Sequence, residues 1–482
     1  MNRDNNLIRL LLLLLVALVS TLLMYCLPEQ ICGYKIKKVD LLSELRVKQE
    51  VNVMDSLRRQ LLEDTVEVDS LYVRDSIEIH EDLDSAVLQL RDSLYNVLVQ
   101  TEGADSLGVN IEDYSLGHVG LRRFFSALNN RDTMSRPVRV AFLGDSFVEG
   151  DILVGDLRSY LQQTFGGRGV GFVPTSSVAA QYRPTIKMKS EKWKTWSMMT
   201  DYTQAYTLSG MLFEPEEEGA SMKLETSDRY PEIKSAGTFK LYYQKNNGTV
   251  MRLAKNGETD TLETVLPQTD KITCFEQKGE FSSVDCSFRN VDGGFLALGV
   301  AIEDNKGVVV DNYSLRGNSG LILNRVDSMQ SVALNNVRPY DLIILQYGLN
   351  VANDSVLQYG WYGKKMEIAI RHLRRCYPTA DVLVLGVSDR GRQFDGKFET
   401  MPSVLALLHS QRQMAKRMGV TFWNVFGAMG GENSMVRYVE NNWASKDYTH
   451  LSFRGGKELA RILYEALMRE KKFYDEADEA GF

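Results

Sequence analysis

Apolar and polar residues change their spacing several times along the chain, and each change marks a different element. The first pattern is unbroken: Leu7 to Leu27 reads LIRLLLLLLVALVSTLLMYCL, with Arg9 as its only charge. About 20 apolar residues, each rising ~1.5 Å in a helix, span the hydrocarbon core of a bilayer. A cleaved signal peptide has a shorter apolar region of about 7–15 residues and a small-residue exit, whereas this run ends Met24-Tyr25-Cys26-Leu27. The pattern predicts an uncleaved signal anchor within residues 1–34, with lipid attachment at Cys26 disfavoured by the bulky Tyr25 before it. Arg3 and Arg9 on one side face Lys35, Lys37 and Lys38 on the other, so charge alone does not orient the span.

A second texture follows. Between Gly33 and Gly103 there is no glycine, no proline follows Pro28 in this stretch, and Asp-Ser pairs recur at 55, 69, 75, 84 and 92. The spacing is not a strict heptad. It predicts an amphipathic helical spacer over residues 35–115, with a charged, partly disordered linker as the other reading.

From Leu121 the chain alternates between helical and strand patterns. LRRFFSAL suggests a short helix, and Val138 to Leu143 (VRVAFL) is a nearly continuous apolar run, as expected of a parallel strand buried on both faces. Similar runs recur at Leu342 to Gln346, Val382 to Gly386 and Val420 to Val425. Helical patterns lie at 152–165, 364–375, 403–418 and 456–470. This alternation predicts an α/β fold, a doubly wound parallel sheet, over residues 116–171 and 311–482. Between them, residues 172–310 carry short β-rich segments such as Phe239 to Gln244, Thr249 to Leu253 and Gly294 to Ile302. Turn pairs of the Asn-Gly and Asp-Gly kind separate these segments and read as hairpin signals. They predict an inserted β-sandwich, jelly-roll-like, with a surface of its own.

Charge sharpens this division. Residues 40–115 hold 18 Asp and Glu against 6 Lys and Arg, a balance of −12 within a chain total of −7, which leaves +5 for the remainder. Without a Lys/Arg-rich run there is no footprint for nucleic acid. Five cysteines form neither a CxxC nor a Cys/His cluster of zinc-ligand spacing. Cys274 and Cys286, 12 residues apart, fit a disulfide as well as they fit two free thiols.

The candidate chemistry sits at strand ends. In V-A-F-L-G-D-S-F-V-E-G-D, Ser146 stands where a buried strand hands over to a helix, with Gly144 permitting the tight turn. There a hydroxyl is exposed at the carboxyl edge of the sheet, and backbone N–H groups with the helix start are placed to stabilise an oxyanion. Asp447-Tyr-Thr-His450 lies near the C-terminus ahead of a Gly-Gly opening and a helix. His450 is the candidate general base for Ser146, and Asp447 the group that orients its imidazole. The other histidines are less apt: His80 lies in the spacer, His118 precedes the core, and His372 and His409 fall within helical patterns. Asn350 follows the strand LIILQ and offers a side-chain N–H to the oxyanion beside the Ser146 backbone N–H. Gly317, after the strand Val308 to Val310, offers a third donor.

This constellation resembles the SGNH/GDSL hydrolase superfamily over roughly residues 120–470, with Ser146, Gly317, Asn350 and His450 on the signature positions and Asp447 completing the triad. Its start G-D-S-x-x-x-G-D, F-G-G-R-G-V-G-F (165–172), the inserted β module and T-F-W-N-V-F-G-A-M-G-G (421–431) ahead of D-Y-T-H are similar to the peptidoglycan O-acetylesterases of Gram-negative bacteria. Two positions depart: Phe147 stands where such enzymes often have a polar residue, and Val351 rather than Asp follows Asn350. The resemblance implies an esterase that needs no cofactor, with an O-acetylated polysaccharide as substrate partner and a glycan-binding role for the insert. It implies a catalytic domain in the periplasm, held at the bacterial inner membrane by residues 7–27. An O-acyltransferase using the same triad and a non-catalytic glycan-binding scaffold are the alternative readings. Trp361, Tyr362, Trp423, Trp443, Trp193 and Trp196 are candidates for stacking on sugars or, more simply, for core packing.

Overall fold

The computed structural model describes residues 110–177 and 182–479, together with the backbone of Gln30–Ile31 and Tyr34–Lys35. The expected anchor at 7–27 and the spacer up to residue 109 lie outside the described residues, apart from that short pair. Among the described residues no helix is long and apolar enough to cross a membrane. The unit formed by residues 1–79 contributes one feature, the antiparallel pairing of Gln30–Ile31 with Tyr34–Lys35.

The second unit holds the α/β sheet and the insert. Its central sheet comprises β1 (Ile111–Asp113), β2 (Val138–Gly144), β3 (Val308–Ser314), β4 (Leu342–Gln346), β5 (Asp381–Leu385) and β6 (Thr421–Trp423), in the spatial order β3-β2-β4-β5-β6-β1. All neighbours are parallel except β1, which pairs antiparallel with β6 at the edge. Every residue of β2, β4 and β5 is buried, the physical reason these strands read as unbroken apolar runs. Two helix groups flank the sheet. Helix α6 (Phe453–Glu479) packs on α1 (Arg122–Asn130) and α2 (Val154–Phe165), and α4 (Gly360–Cys376) packs on α3 (Ser328–Val337) and α5 (Pro402–Met418). From β2 the chain goes first to β3 on one side and then to β4 on the other. The carboxyl ends of these three strands therefore frame a crevice at a topological switch point.

The insert is a sandwich of two antiparallel sheets. The inner sheet runs Thr273–Phe281, Ala236–Lys245, Leu296–Glu303, Met211–Pro215, Trp193–Ser197, with Gly169–Val173 also paired to Leu296–Glu303. The outer sheet runs Thr261–Val265, Val250–Lys255, Ser283–Arg289, Ala220–Thr226, Ile186–Glu191. Between them lies a second core that includes Phe213, Leu224, Leu241, Tyr243, Val284, Phe288 and Ile302. The central strands of the inner sheet, Ala236–Lys245 and Leu296–Glu303, are buried on both faces, because Tyr242, Leu298 and Ala301 point the other way, into the α/β core. The outer sheet buries one face only, and Ala220–Thr226 alternates accordingly.

Three sequence expectations change. The spacer was expected to run to 115, but Ile111–Asp113 forms the edge strand β1. The insert boundaries move as well: Gly169–Gly171 joins the inner sandwich sheet, whereas Val308–Val310 belongs to β3. Of the turn pairs read as hairpins, Asn256-Gly257 joins paired strands, whereas Asn246-Asn-Gly248 and Asp292-Gly-Gly294 carry the chain from one sheet to the other. Cys274 and Cys286 are free thiols. Cys274 packs against the α/β core and Cys286 lies in the sandwich core, on opposite sides of the inner sheet.

A buried charged network joins the two halves. Arg338 bonds Asp311 through Nε and Nη2, Glu303 through Nη2 and the Tyr242 hydroxyl through Nη1, all at 2.7 Å. Arg139 and Lys240 also donate to Glu303, at 2.8 and 3.1 Å. Desolvation pushes the Glu303 carboxyl up, but Arg338, Arg139 and Lys240 outweigh it and hold it well below its usual range.

Candidate active site

Ser146 lies just beyond β2, half-buried, after a glycine that the packing requires. A Cβ on Gly144 would meet Val148 Cγ2 at 2.4 Å. The sequence pattern places a helix start directly behind Ser146. Instead a 3-10 turn, Glu149–Asp151, intervenes, and α2 begins only at Val154. Gly150, Asp151 and Leu153 are all left-handed, at φ of 69°, 66° and 66°. Strained backbone of this kind persists where its surroundings fix it, and here the fixing group is the buried Asp151. It accepts from Arg158 at 2.9 and 3.3 Å, Arg183 at 3.0 Å, Asn312 at 3.0 Å, and Thr185. Burial pushes the Asp151 carboxyl up, yet Arg158 and Arg183 hold it well below the usual carboxylate range.

The acid and base arrive from the opposite end of the chain. His450 Nε2 lies 2.9 Å from Ser146 Oγ, and His450 Nδ1 lies 2.8 Å from Asp447 Oδ2. Asp447 Oδ1 also accepts from the backbone N–H of Thr449 and His450, at 2.9 and 3.0 Å. Partial burial raises the Asp447 carboxyl, but these bonds more than reverse it and leave the carboxyl below its ordinary value. The Nδ1 contact with a carboxylate favours the tautomer that leaves Nε2 free to take the Ser146 proton. The Gly-Gly opening of α6 allows this approach: a Cβ on Gly455 would sit 2.1 Å from the Trp443 carbonyl oxygen, and one on Gly456 would sit 2.7 Å from Ile152 Cγ2. Helix α6 is thereby seated against the turn that follows Ser146.

A feature that sequence patterning missed holds the Asp447–His450 loop. The hairpin Gly391–Phe394 with Lys397–Thr400 closes through Asp395 and Gly396, both left-handed, at φ of 45° and 83°. Its Asp-Gly pair is a hairpin signal available in the sequence. Gly391 N donates to the Tyr448 carbonyl at 2.9 Å, and Phe398 stacks on the Tyr448 ring with centroids 3.6 Å apart and planes within 6°. Tyr448, between the acid and the base, is itself left-handed at φ 54°.

Gly317 lies in the exposed turn after β3, at φ 78°, and Leu315 N ties that turn to the Gly144 carbonyl at 2.9 Å. The backbone N–H groups of Ser146 and Gly317 have no acceptor among the described residues, so both are available to an oxyanion. Asn350 is differently placed from the sequence expectation. Its Nδ2 donates to Asp145 Oδ2 at 2.8 Å and to the Asn318 carbonyl at 3.0 Å, so both amide hydrogens are engaged. Asp145, fully buried, also accepts from Phe147 N at 2.9 Å. Burial raises its carboxyl to about 6, against the lowering effect of these bonds and of His450.

The rest of the sequence candidates have structural roles. Phe147 and Val351 are buried. Tyr362 and Trp423 are fully buried core residues, Trp361 and Trp443 pack partly against the same core, and Trp193 packs on Phe288 and Phe295 in the sandwich. Trp196 lies under Lys194, with Nζ 3.8 Å from the ring centroid. His372 bonds the Val326 carbonyl and His409 faces solvent; His80 lies outside the described residues. Among the described residues, no group of three or more His, Cys, Asp or Glu is arranged to hold a metal ion.

No protein-family model and no curated protein matches the sequence. Among solved structures, the chain is similar to a peptidoglycan O-acetylesterase at 21% identity. The match covers 75% of this chain and 99% of that one, with a TM-score of 0.62. A family two carbohydrate esterase from Cellvibrio japonicus aligns at 11% identity over 63% of this chain and 98% of that one. Its TM-score of 0.26 is too low to bear on the fold. The chain shares the α/β fold of the first.

Proposed function

We propose that this protein is a serine esterase that removes O-acetyl groups from a cell-envelope polysaccharide, peptidoglycan foremost, through an acyl-enzyme on Ser146. The observation that carries the reading is the unbroken Asp447–His450–Ser146 hydrogen-bond line, at 2.8 and 2.9 Å, assembled from opposite ends of the chain. In the first step Ser146 Oγ attacks the ester carbonyl while His450 Nε2 takes its proton. The imidazolium that forms is stabilised by Asp447 and then donates to the departing sugar oxygen. The oxyanion is received by the N–H groups of Ser146 and Gly317, and by Asn350 once it gives up its bond to the Asn318 carbonyl. Water, activated by His450, then releases the acid. Support for acetyl as the acyl group and peptidoglycan as the glycan comes from the fold shared with a peptidoglycan O-acetylesterase and from the motif resemblance.

The decisive measurement is acetate release from O-acetylated peptidoglycan and from an aryl acetate, by the detergent-solubilised full chain and by Ser146→Ala. We expect the variant to be slower by about 10³-fold or more. Equal rates for the two proteins would refute the esterase. The proposal extends to place: residues 7–27 anchor the chain in the inner membrane and the catalytic unit works in the periplasm. Protease digestion of the catalytic unit in spheroplasts, without lysis, tests that orientation.

A further inference from the structure

Beside the catalytic turn lies a cavity of about 730 Å³. Met188 and Met211 of the sandwich form part of its wall, and the turns after β2 and β3 form another part, including Asp151 and Arg316. Arg183 belongs to the same wall, with only 11% of its side chain exposed. Its Nε donates to Asp151 at 3.0 Å and to Thr185 at 3.2 Å. Neither terminal nitrogen has an acceptor among the described residues, and Nη2 is enclosed.

The fold accounts for only part of this guanidinium, the Nε bonded to Asp151 and Thr185. Arg158, fully buried, already neutralises Asp151 with two hydrogen bonds, and Asn312 adds another. Arg316 is likewise balanced by Glu149. Two arginines and two carboxylates line this wall, with Arg158 bonded to Asp151 from behind it, and Arg183 ends in unbonded N–H groups. A nearly buried guanidinium with idle donors is costly unless an anion completes it, and its planar fork matches a carboxylate. The position bears on catalysis as well. The cavity wall reaches Arg316, adjacent to Gly317, and Glu149, three residues beyond Ser146.

We propose that this cavity is a binding site for a sugar-borne carboxylate, held by Nη1 of Arg183, with Met188 and Met211 as apolar cover for the ring. The inference rests on the esterase reading only in placing the scissile ester at Ser146. The substrate is thereby an acidic glycan whose carboxylate lies on or beside the acylated sugar.

The test uses the full chain carrying Ser146→Ala, so that binding is read without turnover. N-acetylmuramic acid, glucuronic acid and neutral N-acetylglucosamine are titrated calorimetrically. We expect one or both acids to bind at least ten-fold more tightly than the neutral sugar, and Arg183→Met to remove that preference. Arg183→Lys, which keeps the charge but not the fork, should retain part of it and serves if Arg183→Met fails to fold. A preference for the first acid places the carboxylate on a lactyl ether, and a preference for the second places it on the ring carbon. Equal binding of acids and neutral sugar, no binding by any of them, or an unchanged preference in the Arg183 variants overturns the site. Selective acid binding without acetate release by the wild-type chain would remove the esterase reading and leave the site standing. Acetate release with unselective binding would do the reverse.

Discussion

Replacing Asp145 by Asn should make the protein more stable and a poorer catalyst at the same time. Asp145 is fully buried with no cation bonded to it, and burial lifts its carboxyl from 3.8 to about 6. Each factor of ten in proton affinity corresponds to about 1.4 kcal/mol, so the ionised side chain costs the fold about 3 kcal/mol. The sign follows from the raised value. The fold favours the protonated form, its advantage is complete below 3.8, and it is lost as pH rises through about 6. At pH 8 an uncharged Asn escapes that cost. Its Oδ1 can still accept from Phe147 N, but its Nδ2 would face the Nδ2 of Asn350, donor against donor. Losing or turning that bond costs about 1 kcal/mol. The net expectation is a gain of about 2 kcal/mol at pH 8 that passes through zero to a loss of under about 1 kcal/mol at pH 4, where the ionisation cost has mostly vanished and the bond penalty remains, read by urea denaturation at both values. Turning the Asn350 amide also withdraws its N–H from the oxyanion, and loss of one such donor lowers kcat by about 10²–10³-fold. Aryl acetate turnover measures this, with KM expected to stay within about three-fold. A variant less stable than wild type at pH 8, or equally active, would refute the reasoning.

Other outcomes follow from the same geometry. Arg338→Met leaves Asp311 buried without its cation and should cost about 3–5 kcal/mol in urea denaturation, whereas Lys240→Met, which leaves Glu303 paired to Arg139 and Arg338, should cost about 1 kcal/mol or less. Phe398→Ala removes the ring stacked on Tyr448 and should lower kcat about ten-fold, with a stability loss near 1 kcal/mol, measured by aryl acetate kinetics and thermal unfolding. Gly455→Ala drives a methyl against the Trp443 carbonyl and should destabilise by about 1–3 kcal/mol while reducing kcat, since it pushes α6 away from the catalytic turn; thermal unfolding and the same kinetics check it.

Much of the fold was legible because burial writes itself into hydrophobic spacing. VRVAFL, LIILQ and the Val382 run are central parallel strands, and their apolar continuity follows from helices on both faces. Elements without such a pattern were missed. Ile111–Asp113 is three residues at a sheet edge, and the 391–400 hairpin announces itself only by Asp395-Gly396. Asn246-Asn-Gly248 and Asp292-Gly-Gly294 read as hairpins because turn chemistry specifies a reversal of direction, not which sheet receives the next strand. At the site, Ser146 is nominated by its strand-end position and Asp447 and His450 by their place ahead of the last helix, and the structure brings the three within hydrogen-bond reach. Asp145, Arg183 and the Phe398–Tyr448 stack depend on contacts between distant segments, which no local spacing encodes. Asn350 was placed correctly at the end of β4, but its inward bonds to Asp145 and Asn318 appear only in three dimensions.

The inner sandwich sheet bears on how such a molecule evolves. Gly169–Val173 and Leu296–Glu303, the strands that bound the insert, lie side by side, so the module enters and leaves the chain at one place, the arrangement most tolerant of acquisition by insertion. Yet Tyr242 and Leu298 now complete the α/β core, and Glu303 is shared between Arg139 and Arg338. What was easy to gain has become hard to lose or exchange. A lineage can vary the outer sheet and the cavity wall by single substitutions, while the inner sheet and its charged partners must be inherited together.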